Sequence, residues 1–95
     1  MATGNCVIAK PSELAPMTIY MFSKACMEAG LPPGVLNIIH GDGEKTGRQI
    51  LEHPKVKAIS FTGGSKTGEA IALTAAKGMK KVLLEMSGKN AAIVF

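Results

Sequence analysis

The sequence predicts an α/β fold of about three helices and four to five strands, in which helices join parallel strands as right-handed βαβ units. Short apolar runs rich in β-branched residues alternate with helix-length segments, and glycine or proline separates them at regular intervals. In addition, 46% of the 95 residues are hydrophobic but only 4% are aromatic, so small aliphatic side chains must fill the interior, as in layered α/β proteins. So short a chain has little with which to cover both faces of a sheet, and we expect it to be part of a longer protein.

Five apolar runs are predicted to be strands. The first covers residues 5–10 and ends at Pro11, and we expect it to be buried. The others are residues 34–40, 56–62, 80–86 and the beginning of a further strand at 90–95.

Three helices are predicted between these strands. The first begins near Pro16, whose missing N–H is harmless in a first helical turn, and ends before Gly30. The second is predicted over residues 43–53, and the third over 65–77 with Gly78 as its C-cap. Apolar or small residues at helical spacing predict one buried stripe on the first helix, made of Thr18, Met21, Phe22, Ala25, Cys26 and Ala29.

Charge and cysteine content argue against several classes of function. The net charge of +4 is spread over scattered lysines, and with one tyrosine and no tryptophan the sequence lacks the basic and aromatic clusters of a nucleic-acid surface. No run is long enough to span a membrane, and the first residues do not have the pattern of a signal peptide. Cys6 and Cys26 lack metal or redox spacing, so we expect no metal site, two inert buried thiols and a reducing, cytoplasmic compartment.

Two glycine-rich turns, each between a predicted strand and a predicted helix, are candidates for holding a phosphate. The first, HGDGEKTGRQ at 40–49, contains three glycines, but Asp42 and Glu44 would repel an anion. A dinucleotide-binding turn should also have an acidic residue at the end of the next strand, and that strand ends in Ser-Phe-Thr at 60–62. A tight turn that packs against a neighbour explains the first turn equally well.

The second turn, SFTGGSKTGEA at 60–70, is better suited to an anion. Gly63 and Gly64 leave backbone N–H groups accessible, and hydroxyl side chains and Lys66 lie beside them. The positive end of the third helix would point toward this loop. The turn is not a P-loop, because the Gly-Lys-Ser/Thr of that motif is absent.

The segment KPSE at 10–13 follows the first strand, at the carboxyl edge where ligands bind in parallel α/β sheets. Glu13 could accept hydrogen bonds from a ribose diol, with Lys10 donating beside it. The alternative is an exposed turn in which Ser12 caps the following helix. The residues alone leave both possibilities open.

Four segments together resemble the aldehyde dehydrogenase superfamily, specifically its coenzyme-binding domain. They are GNCVIAKPSELAP, EAGLPPGVLNIIHGDG, ISFTGGSKTGE and LLEMSGKNAAIVF, and they cover essentially the whole chain in order. The resemblance implies an incomplete Rossmann-like NAD-binding domain over residues 1–89, with 90–95 beginning the strand that leads toward the catalytic domain. Semialdehyde-oxidising members are the most similar, because their turn often also reads Thr-Gly-Gly.

The resemblance implies a set of NAD-binding residues. The lysine and glutamate after the first strand, Lys10 and Glu13, would hold the adenosine ribose, and Gly43 and Gly47 would lie near the adenine end. The second glycine turn would carry the pyrophosphate, and the Met86 backbone would approach the nicotinamide. The implied residues are Lys10, Ser12, Glu13, Gly43, Gly47, Gly63, Gly64, Ser65, Gly68 and Met86. Glu13 favours NAD over NADP because it would repel a 2′-phosphate, although Lys10 could pair with that phosphate.

Glu85 matches the general base of the family, which activates water to hydrolyse a cysteine thioester after hydride has passed to NAD. The position suits that role, because desolvation by Leu84 and Met86 could strengthen a carboxylate as a base; an ordinary strand-end glutamate is the alternative. The cysteine nucleophile of the family lies well downstream of this glutamate, so we expect the 95-residue chain alone to be inactive.

The sequence departs from the family pattern at two positions. Gly64 stands where many members have a serine, and Ser87 stands where a glycine is usual after the base. The expected partner is a small aldehyde, and the whole protein is expected to be a homo-oligomer. A non-catalytic nucleotide-binding module and a structural segment are the alternative functions.

Overall fold

The structure, a computed structural model, describes residues 1–88 and 91–95. These residues form three α-helices and four strands, distributed over two compact units, Met1–Arg48 and Gln49–Phe95. Each unit contains one pair of parallel strands. The predicted α/β class and the parallel pairing are therefore confirmed.

In the first unit, strand β1 (Val7–Ala9) pairs in parallel with β2 (Leu36–Ile38). Backbone bonds from Val7 N–H to the Val35 carbonyl (2.8 Å) and from Ile39 N–H to the Ala9 carbonyl (3.0 Å) close the two ends of the pair. Both strands are shorter than the predicted strands at 5–10 and 34–40, because a strand extends only as far as it is hydrogen-bonded to the neighbouring strand. Cys6 therefore precedes β1 and is exposed, so the prediction that this thiol is buried in a strand is wrong.

Helix α1 (Met17–Glu28) connects these strands and ends as predicted. Pro16 directly precedes it with helical backbone angles (φ −78°, ψ −23°). Gly30 has φ +82° and donates to the Met27 carbonyl at 3.0 Å, and Leu31 N–H donates to the Cys26 carbonyl at 2.9 Å. This pair of bonds is the Schellman ending that a left-handed glycine allows.

The predicted buried stripe of α1 is wrong in orientation. Met21 and Phe22 are 59% and 50% exposed, whereas Ile19, Ser23 and Cys26 are half-buried. Apolar residues surround much of this helix, so their spacing alone does not decide which side packs inward. That choice depends on the contact of α1 with β2.

The second predicted helix, 43–53, is divided into two parts. Residues Gly43–Gly47 form a π-helical segment, and α2 (Arg48–Glu52) follows directly. In the first part, Thr46 and Gly47 N–H groups both donate to the Asp42 carbonyl, at 2.9 and 3.2 Å. The wider turn is a local change of hydrogen bonding that apolar periodicity does not reveal.

In the second unit, β3 (Ala58–Gly63) and β4 (Lys81–Met86) pair in parallel and are connected by α3 (Ser65–Lys77). The bounds of α3 are those predicted from the sequence. One face of the strand pair packs against α3, where Ala75 is completely buried. The half-buried strand positions are Ile59, Phe61, Gly63, Leu84 and Met86, and alternate positions between them are exposed.

Gly78 is the C-cap of α3, as predicted, but it does not have the left-handed conformation. Met79 adopts it instead, with φ +51°. Met79 N–H donates to the Ala76 carbonyl at 3.1 Å and Lys80 N–H to the Ala75 carbonyl at 3.0 Å, so the Schellman ending is shifted by one residue.

Residues 91–95 contain no strand and are exposed, so the predicted fifth strand is not present there. A strand needs a hydrogen-bonded partner, and none of the described strands pairs with these residues. Lys89 and Asn90, where the predicted domain boundary falls, lie outside the described residues. Among the described helices, none has the length and apolar character needed to cross a membrane.

Candidate functional site

Lys10, directly after β1, is at the centre of a compact cluster in the first unit. Its ammonium donates to the Pro11 carbonyl at 2.8 Å, the Gly41 carbonyl at 2.9 Å and Glu13 Oε1 at 3.2 Å. The Lys10 side chain is 16% exposed and that of Glu13 is 50% exposed. The bonds bring the KPSE turn and the first glycine turn together.

Two glycines of the first turn pack against this ion pair. A β-carbon on Gly43 would lie 3.8 Å from Glu13 Oε1, and one on Gly47 would lie 3.7 Å from Lys10 Cε. Both distances are van der Waals contacts. Four residues predicted to bind the adenosine end of a dinucleotide, Lys10, Glu13, Gly43 and Gly47, are therefore neighbours in the structure.

The pKa of Glu13 lies below its ordinary value. Its own backbone N–H has the largest effect, the Lys10 ammonium adds a hydrogen bond and an attractive charge, and the Gly43 N–H contributes less. Each of these donors stabilises the ionised form. Glu13 is therefore an exposed, charged acceptor, which suits the hydroxyl groups of a diol.

Ser12 does not cap helix α1. That helix begins at Met17, and Ser12 Oγ instead accepts a hydrogen bond from Leu14 N–H at 3.3 Å. The Ser12 carbonyl accepts from Ala15 N–H at 3.2 Å, so the residue closes a separate exposed turn. The helix-cap alternative drawn from the sequence is therefore wrong.

The first glycine turn uses its own helix-start amides internally. Asp42 Oδ1 accepts from Glu44 N–H and Lys45 N–H at 2.6 and 3.0 Å. A carboxylate of the protein thus lies where an anionic ligand would have to bind. Gly41 has φ +147°, and a β-carbon there would run into the Thr46 side chain, so this position requires glycine.

The second glycine turn differs in this respect. Gly64 is the N-cap of α3, and no side chain of the described residues caps this helix start. The first bond of the helix runs from Gly68 N–H to the Gly64 carbonyl at 3.0 Å, so the amides of residues 65–67 precede it. An open groove lies beside this turn and is lined by Thr62, Gly63, Gly64, Glu85, Met86 and Ser87. Four predicted site residues, at 63, 64, 85 and 86, are therefore on one groove, and Ser65 follows it as an exposed first residue of α3.

Gly68 has a clear packing role. It is buried, and a β-carbon on it would lie 3.1 Å from Met86 Cγ and closer still to Met86 Sδ. The glycine therefore lets α3 approach β4 closely.

Glu85 is exposed at the carboxyl end of β4, where it is paired with Thr62 of β3. Leu84 and Met86 are half-buried on the α3 side of the strand pair. Because side chains alternate along a strand, these two residues do not enclose the carboxylate, and the predicted desolvation by them is wrong. Glu85 instead faces the side opposite α3.

Gly41 was not among the predicted site residues, although its carbonyl is a partner of Lys10. A backbone carbonyl leaves no mark on residue identity, and the only signal was a glycine between two other turn residues. Within the described part of the chain, no group of three or more His, Cys, Asp or Glu side chains could hold a metal ion.

In a comparison with models of protein families, the model described as Aldehyde dehydrogenase family matches residues 1–95 of this sequence. The chain belongs to the aldehyde dehydrogenase family. It is 50% identical over 95 residues to 2-aminomuconic semialdehyde dehydrogenase of Mus musculus and 49% identical over 96 residues to 2-hydroxymuconic semialdehyde dehydrogenase of Pseudomonas putida. Each comparison covers 100% of this chain and 20% of the relative, so the chain spans about a fifth of the length of these dehydrogenases.

Solved structures of the family share the fold. Betaine aldehyde dehydrogenase from Staphylococcus aureus in complex with NAD+ superposes with a TM-score of 0.89 at 39% identity, over 94% of this chain and 18% of that one. The predicted membership in the family is confirmed.

Proposed function

We propose that this chain is the NAD-binding segment of a dehydrogenase that oxidises an aldehyde or semialdehyde to a carboxylic acid. The main support is the cluster of Lys10, Glu13, Gly43 and Gly47, which places an ionised acceptor beside two glycines in a member of this family. Relatives at about half identity are named semialdehyde dehydrogenases, and a solved relative is a complex with NAD+.

The first unit has the chemistry to hold the adenosine part of NAD. The Glu13 carboxylate would accept hydrogen bonds from the ribose hydroxyls, and its ionised state suits that role. Gly43 would leave room for a ligand beside the carboxylate, because a β-carbon there would occupy the space 3.8 Å from Glu13 Oε1. The same negative charge would repel a 2′-phosphate, which favours NAD over NADP.

The second unit has the chemistry to hold the diphosphate. Amides at the start of α3 lack a side-chain cap among the described residues, and Gly63 and Gly64 allow close backbone approach. The competing helix start after Asp42 has its amides occupied by a carboxylate. We therefore assign the diphosphate to the second glycine turn, with Ser65 at the helix start and the Met86 backbone toward the nicotinamide.

NAD would supply the hydride acceptor for oxidation of the aldehyde carbon. Glu85 would then take a proton from a water molecule that adds to the cysteine thioester, so that the carbon–sulfur bond breaks and the carboxylic acid leaves. Its exposed position at the strand end gives water direct access. Neither Cys6 nor Cys26 is proposed as the nucleophile. A reducing, cytoplasmic setting and a homo-oligomeric whole protein belong to the same proposal.

Calorimetric titration tests the binding part. The chain with NAD should give a saturable signal, the Glu13→Gln variant a weaker one, and the Glu28→Gln variant, with an exposed glutamate on α1, an unchanged one. No saturable signal at millimolar NAD would exclude the proposal. The catalytic part is tested by following NADH formation from a semialdehyde with the complete protein that contains this sequence.

Binding without turnover is the second candidate, and the uncapped start of α3 supports it independently of Glu85. Saturable NAD binding together with no NADH formation from any of several aldehydes would favour this module. Absence of both signals would leave a structural segment, which the many exposed apolar side chains on α1 would suit.

A further inference from the structure

We propose that Ser87 is a further catalytic residue, whose hydroxyl orients the water molecule that Glu85 deprotonates. This inference rests on the proposed function, in which Glu85 is the general base for hydrolysis of the thioester. It gives a role to a residue that departs from the pattern of the family, since a glycine is usual at this position.

Ser87 and Glu85 lie on the same side of the strand pair. Met86, which stands between them, is half-buried toward α3, where a β-carbon on Gly68 would lie 3.1 Å from Met86 Cγ. Because side chains alternate along an extended chain, this contact turns the residues on either side of Met86 away from α3. Both Glu85 and Ser87 are exposed, as that alternation requires.

Both side chains line the open groove beside the second glycine turn. Strand β4 ends at Met86, and Gly88 has φ +101°, a left-handed conformation in which the chain turns. Ser87 therefore lies between the end of the strand and this turn, beside Glu85. Two positions along an extended chain separate β-carbons by about 7 Å, a gap that a carboxylate, one water molecule and a hydroxyl can fill.

The attacking water is best oriented when both of its hydrogens have acceptors. One hydrogen points to the Glu85 carboxylate, which takes this proton as the water oxygen adds to the thioester carbon. The other points to the hydroxyl oxygen of Ser87, which accepts the hydrogen bond and keeps its own proton. The carbon–sulfur bond then breaks, and the carboxylic acid and the cysteine thiolate separate. A glycine at position 87 would offer no side-chain acceptor.

The alternative is that the serine side chain only narrows the groove. It occupies space that a glycine would leave empty, on a groove that is also lined by Thr62, Gly63 and Gly64. The two roles predict opposite effects of removing the hydroxyl. Loss of an orienting contact slows hydrolysis, whereas relief of crowding leaves hydrolysis unchanged or makes it faster.

The lifetime of the acyl-enzyme in the complete protein tests the role. After mixing with NAD and a semialdehyde, acid quenching and mass spectrometry follow the loss of the acyl group directly. Ser87→Ala should slow this step about fivefold, the effect of one lost hydrogen bond, and leave the initial NADH burst unchanged. Ser87→Thr keeps the hydroxyl and should restore hydrolysis. Ser60→Ala is the matched control, because Ser60 is an exposed serine of β3 that does not line this groove.

Comparison with Glu85→Gln separates this inference from the proposed function. Slow hydrolysis in Glu85→Gln together with normal or faster hydrolysis in Ser87→Ala would overturn the role of Ser87 alone. Normal hydrolysis in Glu85→Gln would overturn the proposed general base, and the role of Ser87 with it. In the double variant, Ser87→Ala should add little to the effect of Glu85→Gln, because both side chains hold the same water molecule. Fully additive effects would place Ser87 outside the water site and contradict the proposal.

Discussion

Met86 lies against Gly68 so closely that a β-carbon at position 68 would come within 3.1 Å of Met86 Cγ and nearer still to Sδ. Alanine in a helix is normally about 1 kcal/mol more favourable than glycine. Overpacking at a helix–strand contact costs about 1–3 kcal/mol and outweighs that gain. We therefore expect Gly68→Ala to destabilise the protein by up to about 2 kcal/mol, measured by urea unfolding.

The double variant Gly68→Ala/Met86→Ala is the control for this contact. It should be less destabilised than the sum of the single variants, because the shorter side chain removes the clash. Additive effects, or a stabilising Gly68→Ala, would show that the two residues do not constrain each other.

Met79→Gly should stabilise the protein by about 1 kcal/mol, because Met79 adopts the left-handed conformation that is unfavourable for residues with a β-carbon. The side chain is 91% exposed, so its removal sacrifices little packing. Met79→Ala keeps the β-carbon and should change stability little. Thermal unfolding of the three proteins gives the comparison, and equal gains in both variants would assign the effect to the side chain instead of the backbone.

Glu85→Gln should lower steady-state turnover of the complete protein about a hundredfold or more, because the substitution removes the proposed general base. The initial burst of NADH should persist, since hydride transfer precedes hydrolysis in the proposed sequence. Stopped-flow absorbance separates the two phases. Glu69→Gln, an exposed glutamate on α3, is the matched control, and normal turnover in Glu85→Gln would remove Glu85 from the mechanism.

Glu13→Gln should narrow the preference for NAD over NADP about fivefold, because an exposed carboxylate has a modest, screened repulsion for a 2′-phosphate. The measurement is the ratio of dissociation constants at low and high salt. The wild-type preference should decrease as salt is added, whereas the preference of the variant should respond less. An unchanged ratio would mean that another residue selects the cofactor.

The pKa of Glu13 should rise toward its ordinary value in Lys10→Met, because the ammonium is one of the groups that hold it low. A carboxylate whose pKa is lower in the folded state than in the unfolded state stabilises the folded protein at any pH above its ordinary, unfolded pKa. This stabilisation is lost as the pH falls through the folded-state pKa. Carbon NMR of the Glu13 carboxyl during an acid titration reports the midpoint. The same midpoint in both proteins would exclude an electrostatic effect of Lys10.

Helix α3 was predictable to the residue, because its limits depend on local signals. Gly64 and Gly78 flank it, and both signals operate within one turn of the helix. The left-handed residue after it was not predictable, since chain geometry moved this conformation from Gly78 to Met79. Local chemistry thus indicated where the helix ends but not how it ends.

Features that depend on partners were less predictable. The prediction of which side of α1 packs inward was wrong. Met21 and Phe22 are as apolar as Ile19, and only the contact with β2 decides between them. The site cluster around Lys10 and Glu13 was predicted from family resemblance, whereas the carbonyl of Gly41 gave no sequence signal. The exposure of Glu85 follows from the alternation of side chains along a strand. Its apolar neighbours in sequence, Leu84 and Met86, point to the opposite face and therefore do not predict its surroundings.

The pairing of Thr62 with Glu85 makes the spacing of β4 as important as its composition. Deleting or inserting one residue between Lys81 and Glu85 would rotate the carboxylate to the side covered by α3 and turn Leu84 and Met86 outward. Homologous genes should therefore tolerate many substitutions at positions 82 and 83 while accepting no change in length there.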